Sequence, residues 1–233
     1  MNRTDLTRFL VNKITLTTLS VATLSVPVLV GCSSSLTKSP SATVAPSTQT
    51  VDQTKTADPT LKNLQAAYNG ESNANVMYLA YAKKADEEGY KEVGSLFRAA
   101  AQAEAIHRDN HAKVIQEMGA TPKNNIATPV VKSTPDNLEQ AIKGESYEST
   151  TMYPDFIKQA KAQKNQKAVQ TFTYALDAEA GHVKLYTQAK NNRKDWKQPH
   201  TFYVCSVSGY TTMNANENDC TVNGVKKPVE KMN

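Results

Sequence analysis

Three cysteines in 233 residues are too few for a disulfide-stapled scaffold, and they cannot supply a metal site made of four thiolates. Basic clusters are also missing. Lys and Arg number 27 against 22 Asp and Glu, for a net +5. Residues 1–31 account for +2 of this, with Arg3, Arg8 and Lys13 against Asp5. No basic block remains elsewhere, which excludes nucleic acid as the natural partner class. What is present is a 39% hydrophobic content, enough for one domain with a real core plus appendages, so the chain as a whole is not disordered.

The N-terminus has the layout of an export signal. Residues 1–13 are short and basic, and Ile14–Val30 is apolar apart from Ser and Thr, uncharged, and interrupted by Pro27. Such a Thr-rich, Pro-broken run is too short for a good transmembrane helix. It ends at Leu29-Val30-Gly31-Cys32, which resembles the bacterial lipobox. The expectation is a signal peptide over 1–31 and a lipidated Cys32 that anchors the protein in the membrane, facing the extracytoplasmic side of a bacterial cell envelope. Two or more acyl chains give a stable anchor. Ser33–Thr60 follows with 13 Ser or Thr, three Pro and no aromatic residue. A segment of that composition cannot bury enough apolar surface to offset its ordering, so 32–60 reads as a tether.

From Leu61 to about Asn192 the chain turns rich in Ala, Lys, Glu and Gln, with Gly and Pro sparse, which favours helix. A repeat is visible. Gly70-Glu71-Ser72 recurs as Gly144-Glu145-Ser146, 74 residues on, while Glu104-x-x-His107 recurs as Glu179-x-x-His182 at 75 and Met77-Tyr78 as Met152-Tyr153 at 75. One extra residue therefore lies between Ser146 and Met152, and a single insertion within a helix is often absorbed as a π-bulge. The pattern predicts helices near 61–88, 91–118, 135–164 and 166–191, with Pro154 kinking the third. The stretch 119–134 is long enough to cross the bundle. Four helices with one long crossover make an all-α, ferritin-like four-helix bundle over 61–192.

The apolar stripes place the acidic residues. Helix two steps through Val93, Phe97, Ala100, Glu104, His107, His111, Val114 and Met118; helix four through Val169, Phe172, Leu176, Glu179, Val183 and Tyr186. Helix one runs Leu64, Ala67, Glu71, Ala74, Tyr78, Tyr81, and helix three Leu138, Ala141, Glu145, Glu148, Met152, Phe156. Five carboxylates thus occupy positions where the stripe demands an apolar side chain. Unpaired, each costs several kcal/mol. No Lys or Arg shares these seams, so protons or metal ions must neutralise them. His107 and His182, one turn beyond a seam Glu, can reach the same centre. One Glu from each of two helices plus a Glu-x-x-His from each of the other two is the ligand set of di-iron and di-manganese carboxylate bundles. His111, one turn beyond His107, reads as an outer partner of the ligands or a satisfied core histidine. Gly70 and Gly144 read as points of close helix packing, and Tyr78 and Tyr153 as core residues whose hydroxyls bond to ligand carboxylates.

At Asn63-Leu64-Gln65-Ala66-Ala67, Gly70-Glu71-Ser72-Asn73-Ala74, Ala85-Asp86-Glu87-Glu88-Gly89-Tyr90, Leu96-Phe97-Arg98-Ala99-Ala100 and Gly144-Glu145-Ser146-Tyr147-Glu148 the chain resembles the rubrerythrin family. The resemblance implies two iron ions, with Glu104 and Glu179 bridging, Glu71 and either Glu148 or His107 on one metal, and Glu145 and His182 on the other. Glu148, which has Ala74 as its repeat counterpart, would exchange with His107 as the irons change oxidation state. The implied activity is non-haem di-iron reduction of hydrogen peroxide to water, protective against oxidative stress, with Glu148, His107, Tyr78 and Tyr153 at the reacting centre. A homodimer is the implied assembly.

The tail departs from that family. Rubrerythrins end in a rubredoxin-like unit whose two Cys-x-x-Cys loops hold an electron-relaying iron. Here Phe202–Tyr210 and Cys220–Gly224 keep the frame of those loops, but Ser208 and Asn223 stand at the second cysteine of each. Two thiolates with a hydroxyl and an amide make a poor iron site, so residues 193–233 are expected to form a small β unit without its iron. Because the loops of that unit converge and extracytoplasmic thiols oxidise, a Cys205–Cys220 disulfide is expected. An external electron donor, of unknown identity, would then be needed. No twin-arginine pair marks the leader, so the chain would cross unfolded and load metal outside, where Mn or Zn can take the same ligands. The competing functions are an iron-oxidising or iron-holding bundle without sustained turnover, and a structural role in the envelope.

Overall fold

A computed structural model describes residues 58–192, 196, 200–214 and 220–232. The export signal, Cys32 and the tether up to residue 57 lie outside the described residues. Within them no helix is long and apolar enough to cross a membrane.

Helix α1 (Pro59–Glu87) begins two residues before the predicted boundary because Asp58 caps it, its carboxylate accepting the Thr60 amide at 2.9 Å, and Pro59 needs no N–H partner there. It ends at Gly89, whose φ of 79° lets the Tyr90 amide fold back onto the Ala85 carbonyl at 2.8 Å. Helix α2 spans Lys91–Glu117 and α5 spans Gln166–Asn191, capped by Asn165.

The predicted third helix is three pieces: α3 (Thr134–Tyr147), a π-helical turn (Glu148–Met152) and α4 (Tyr153–Ala162). The inserted residue is absorbed in that turn, and Pro154 follows as the second residue of α4. The turn corrects the predicted stripe. Beyond it the buried side chains are Tyr153, Ile157 and Ala160, not Met152 and Phe156, because one extra residue advances the inward face by one position. A smaller correction applies to α5, where His182 and Leu185 are buried and Val183 is only partly so.

The crossover between α2 and α3 is fastened to α1 by three amide side chains spaced four residues apart. Gln65 donates to the Thr121 carbonyl (2.8 Å) and accepts from the Lys123 amide (3.0 Å). Asn69 accepts from the Asn125 amide (2.7 Å). Asn73 donates to the Asn125 carbonyl (3.0 Å) and accepts from the Ala127 amide (2.8 Å). Four helical residues rise about 6 Å, and two extended residues span about 6.6 Å, so the two repeats match over this length.

Two apolar clusters fill the bundle. One contains Tyr78, Tyr81, Phe97, Leu138 and Tyr186; the other contains Leu64, Ile115, Tyr153, Ile157 and Phe172. On α1, Leu64 precedes Glu71 and Tyr78 follows it; on α2, Phe97 precedes Glu104 and Ile115 follows it. The buried carboxylates therefore form a polar layer between two hydrophobic ones.

The C-terminal region holds five short strands. β1 (Phe202–Cys205) lies between β2 (Thr211–Thr212) and β5 (Val229–Met232), both antiparallel to it. β3 (Thr221–Val222) and β4 (Val225–Lys226) form a hairpin around Asn223 and Gly224, both at positive φ, the dipeptide such tight turns favour. Phe202, Val204 and Trp196 join the first apolar cluster. Buried Glu92 at the start of α2, which the stripe analysis missed, pairs with His200 Nδ1 at 2.6 Å. Cys205 and Cys220 are joined by a disulfide with Cα atoms 5.0 Å apart.

Candidate metal centre

Glu71 on α1, Glu104 and His107 on α2, Glu145 on α3, and Glu179 and His182 on α5 are all essentially buried. Their ligand atoms form two groups, one of Glu71, Glu104, His107 and Glu179, the other of Glu104, Glu145, Glu179 and His182, each with all atoms within 4.8 Å of one another. Glu104 and Glu179 belong to both, the position of bridging ligands.

Both histidines turn Nδ1 toward the carboxylates. His107 Nδ1 lies 3.0 Å from Glu179 and 3.1 Å from Glu104. His182 Nδ1 lies 2.8 Å from Glu179 and 3.6 Å from Glu104. Their outer nitrogens decide the tautomer. His107 Nε2 faces the Ser208 carbonyl at 2.9 Å, a group that only accepts, so Nε2 carries the proton. His182 Nε2 faces the Thr211 hydroxyl at 3.1 Å, and that hydroxyl donates to the Gly209 carbonyl at 3.1 Å, so it accepts from Nε2. Each Nδ1 is then the ring nitrogen left to face a cation in the carboxylate layer; without one, His107 Nδ1 lies within hydrogen-bond distance of Glu104 and Glu179, as a protonated ring does. Glu71 Oε2, Glu104 Oε1, Glu145 Oε2, both Glu179 oxygens and His182 Nδ1 are buried without a hydrogen bond. Lone pairs crowded together in a dry layer require cations, and this donor set of carboxylates and imidazoles fits two first-row divalent metals.

Electrostatics of the metal-free cluster say the same. Burial, and then the mutual repulsion of the carboxylates, pushes Glu104 well above the ordinary carboxylate range. Glu179 is raised too, chiefly by burial. Burial would also raise Glu71, but the facing His111 and His107 rings and the Tyr153 hydroxyl bring it down to about 2. His107 is raised by Glu179 and Glu71 against the opposing effect of its burial. Protons stand in for the cations the cluster calls for.

The tyrosines cross-link the repeat. Tyr78 on α1 donates to Glu145 at 2.5 Å, and Tyr153 on α4 donates to Glu71 on α1. Burial and adjacent carboxylates raise both phenols well above their usual range, which keeps them as donors. His111 has both nitrogens occupied, by Thr171 (2.9 Å) and Tyr153 (3.2 Å), and stands in neither metal group.

Glu148 is placed differently. It opens the π-helical turn, is only partly buried, and lines a cavity of about 510 Å³ between α1, the crossover and α3; it is in neither four-residue group. Burial, with Glu71, Glu145 and Glu179 nearby, raises its carboxyl well above the ordinary range. The structure thus brings His107, not Glu148, to the first metal position. It also corrects the reading of Gly70 and Gly144: a Cβ at either meets nothing within 4 Å, so neither is a close-packing glycine.

A family model described as rubrerythrin matches residues 62–190. The chain belongs to the rubrerythrin family. It is 39% identical to Rubrerythrin-2 of Clostridium acetobutylicum over 168 residues, 70% of this chain and 91% of that one. It is 40% identical to Nigerythrin of Nitratidesulfovibrio vulgaris over 152 residues, 65% of this chain and 75% of that one. The structure of fully reduced, all-ferrous nigerythrin superposes with a TM-score of 0.66 at 35% identity, covering 77% of this chain and 88% of that one. Membership in a family of non-haem di-iron oxidoreductases and a mostly helical ferritin-like fold agree with the buried cluster.

The tail partners of the histidines escaped the sequence reading. Ser208 acts through its backbone, which no residue pattern marks, and Thr211 is one of many threonines. Gly209 is a glycine for a reason only the fold shows: its φ is 73° and its Cα lies so close to the His107 ring that a Cβ would overlap it.

Proposed function

We propose that this rubrerythrin reduces hydrogen peroxide to water at a pair of iron ions, using an external electron donor, as a lipoprotein on the extracytoplasmic side of a bacterial cell envelope. The observation that carries the reading is the pair of four-donor groups sharing Glu104 and Glu179. Glu71 with His107 would complete one metal position, and Glu145 with His182 the other. An iron pair held there would supply the two electrons for cleavage of the O–O bond.

The chain's own groups supply the rest. The cavity that Glu148 lines would be where peroxide approaches the centre. Its raised carboxyl would serve as a proton source, which the reaction needs because each peroxide takes up two electrons and two protons to give two waters. Tyr78 and Tyr153 hold Glu145 and Glu71 by donated hydrogen bonds. By the family resemblance, anionic Glu148 would exchange with neutral His107 as a ligand if the bound metals were oxidised, in keeping with the added positive charge.

The tail is read as a degenerate rubredoxin-like unit, with Ser208 and Asn223 in place of cysteines and Cys205–Cys220 as a staple worth about 3 kcal/mol for a loop of this length. Export and the Cys32 anchor rest on the leader sequence, and a homodimer on the family resemblance. Mn or Zn fits the same donors. The missing relay favours a second reading, an iron-oxidising bundle without sustained peroxide turnover. Steady-state peroxide consumption with an artificial donor separates the two. In the same assay Glu148→Ala should keep both metals while slowing peroxide turnover by about 10²-fold, within the range of a lost general acid. Unchanged turnover in stopped-flow would remove Glu148 from the mechanism.

A further inference from the structure

The C-terminal strands do more than cover the bundle. Three residues of one loop, Ser208 to Thr211 by way of Gly209, reach both histidines of the centre. The Ser208 carbonyl accepts from His107 Nε2 at 2.9 Å. Thr211 accepts from His182 Nε2 at 3.1 Å and donates its own hydrogen bond to the Gly209 carbonyl. The adjacent Val207 carbonyl accepts from Asn110 on α2 at 2.8 Å. Gly209, at positive φ, allows the backbone to lie against the His107 ring.

This loop is fixed from one end by Cys205. The Gly209 amide donates to the Cys205 carbonyl, and the Cys205 amide to the Tyr210 carbonyl, both at 2.9 Å. Cys205 is in turn bonded to Cys220, which leads into the β3–β4 hairpin. Strand β2, which carries Thr211, is only two residues long, so the sheet alone holds it weakly.

We propose that the C-terminal unit is a stapled cap that sets the tautomer and orientation of both metal-binding histidines, with Ser208, Gly209 and Thr211 as positioning residues and the Cys205–Cys220 disulfide as the lock. The proposal rests on the di-metal reading of the centre. Reduction by a dithiol breaks the S–S bond, delivers two electrons and two protons to give two thiols, and closes the reductant's own disulfide. The loop then loses its covalent tie, and His107 and His182 lose the acceptors that hold Nε2 and so aim Nδ1 at the metals.

The test is a Co²⁺ titration of the full metal-free chain, followed by visible absorption, before and after reduction with dithiothreitol and its anaerobic removal. The expected result is two binding steps in the oxidised protein and a 10- to 100-fold weakening after reduction, the usual cost of losing outer partners of metal ligands, with the helical circular dichroism retained. Thr211→Val should weaken one step and alter the cobalt spectrum, and Thr211→Ser should restore both. Cys205→Ser/Cys220→Ser should match the reduced protein with or without dithiol. Cobalt affinities and spectra unchanged by reduction and by Thr211→Val would overturn the cap. Absence of cobalt binding in the oxidised protein would instead overturn the metal reading itself.

Discussion

Tyr78 and Tyr153 occupy equivalent places in the repeat, and each bonds to the glutamate of the other half, Tyr78 to Glu145 and Tyr153 to Glu71. The exchange ties α1 to the α3–α4 pair at the metal layer itself. At this scale most of the centre was legible from the sequence, because carboxylates on an apolar stripe violate the pattern and so stand out. Glu71, Glu104, Glu145 and Glu179 are found where the stripe placed them, and His107 and His182 follow from helical spacing. The partners of the outer imidazole nitrogens were not legible, since a backbone carbonyl is present at every position and only folding selects one. Glu92 was missed for a different reason: it lies at a helix start, beyond the stripe, and its His200 partner comes from the far end of the chain.

The third helix shows how one residue is translated into structure. From Glu71 to Tyr78 is seven residues, and from Glu145 to Tyr153 is eight. Without the π-helical turn Tyr153 would face away from Glu71. The turn also places Glu148 at the cavity, beside the centre but outside its donor groups. The repeat offset reveals the insertion, yet a straight stripe through it takes no account of the rotation an extra residue imposes, so it points Met152 and Phe156 inward where the structure leaves them at the edge of the second cluster. The repeated glycines lead to a stability prediction for these helices. Gly144 lies in α3 with open space where a Cβ would go, so Gly144→Ala should stabilise the protein by about 0.5–1 kcal/mol through helix propensity and reduced freedom of the unfolded chain. A melting temperature raised by about 1–4 °C is the expected reading; a lowered one would show a packing role that the geometry does not.

Over the whole molecule, the polar layer between two apolar clusters is a source of instability until cations occupy it. Glu104, Glu148 and Glu179 hold their protons more tightly folded than unfolded, and so does His107. The glutamate contributions are full below the unfolded carboxylate value of 4.5 and that of His107 below 6.5, and each is lost as pH rises through the raised folded value. Glu71, lowered to about 2, acts oppositely, but its contribution is complete above 4.5 and is lost only on acidification toward 2. The metal-free protein should therefore melt at progressively lower temperature from about pH 5 to about pH 8, and metal-loaded protein should not, because binding displaces those protons. Thermal melts with and without a chelator check this, and a metal-free stability that rises over that interval would contradict it. The most direct test of the central claim is anaerobic. The full chain is loaded with ferrous iron, its metal content is measured, and hydrogen peroxide is added in known amounts. The account predicts two irons per chain, oxidised together by one peroxide, and loss of this reaction in Glu104→Gln, which removes a donor common to both positions. One iron or none per chain, or ferrous iron left unoxidised by one equivalent of peroxide, would contradict it.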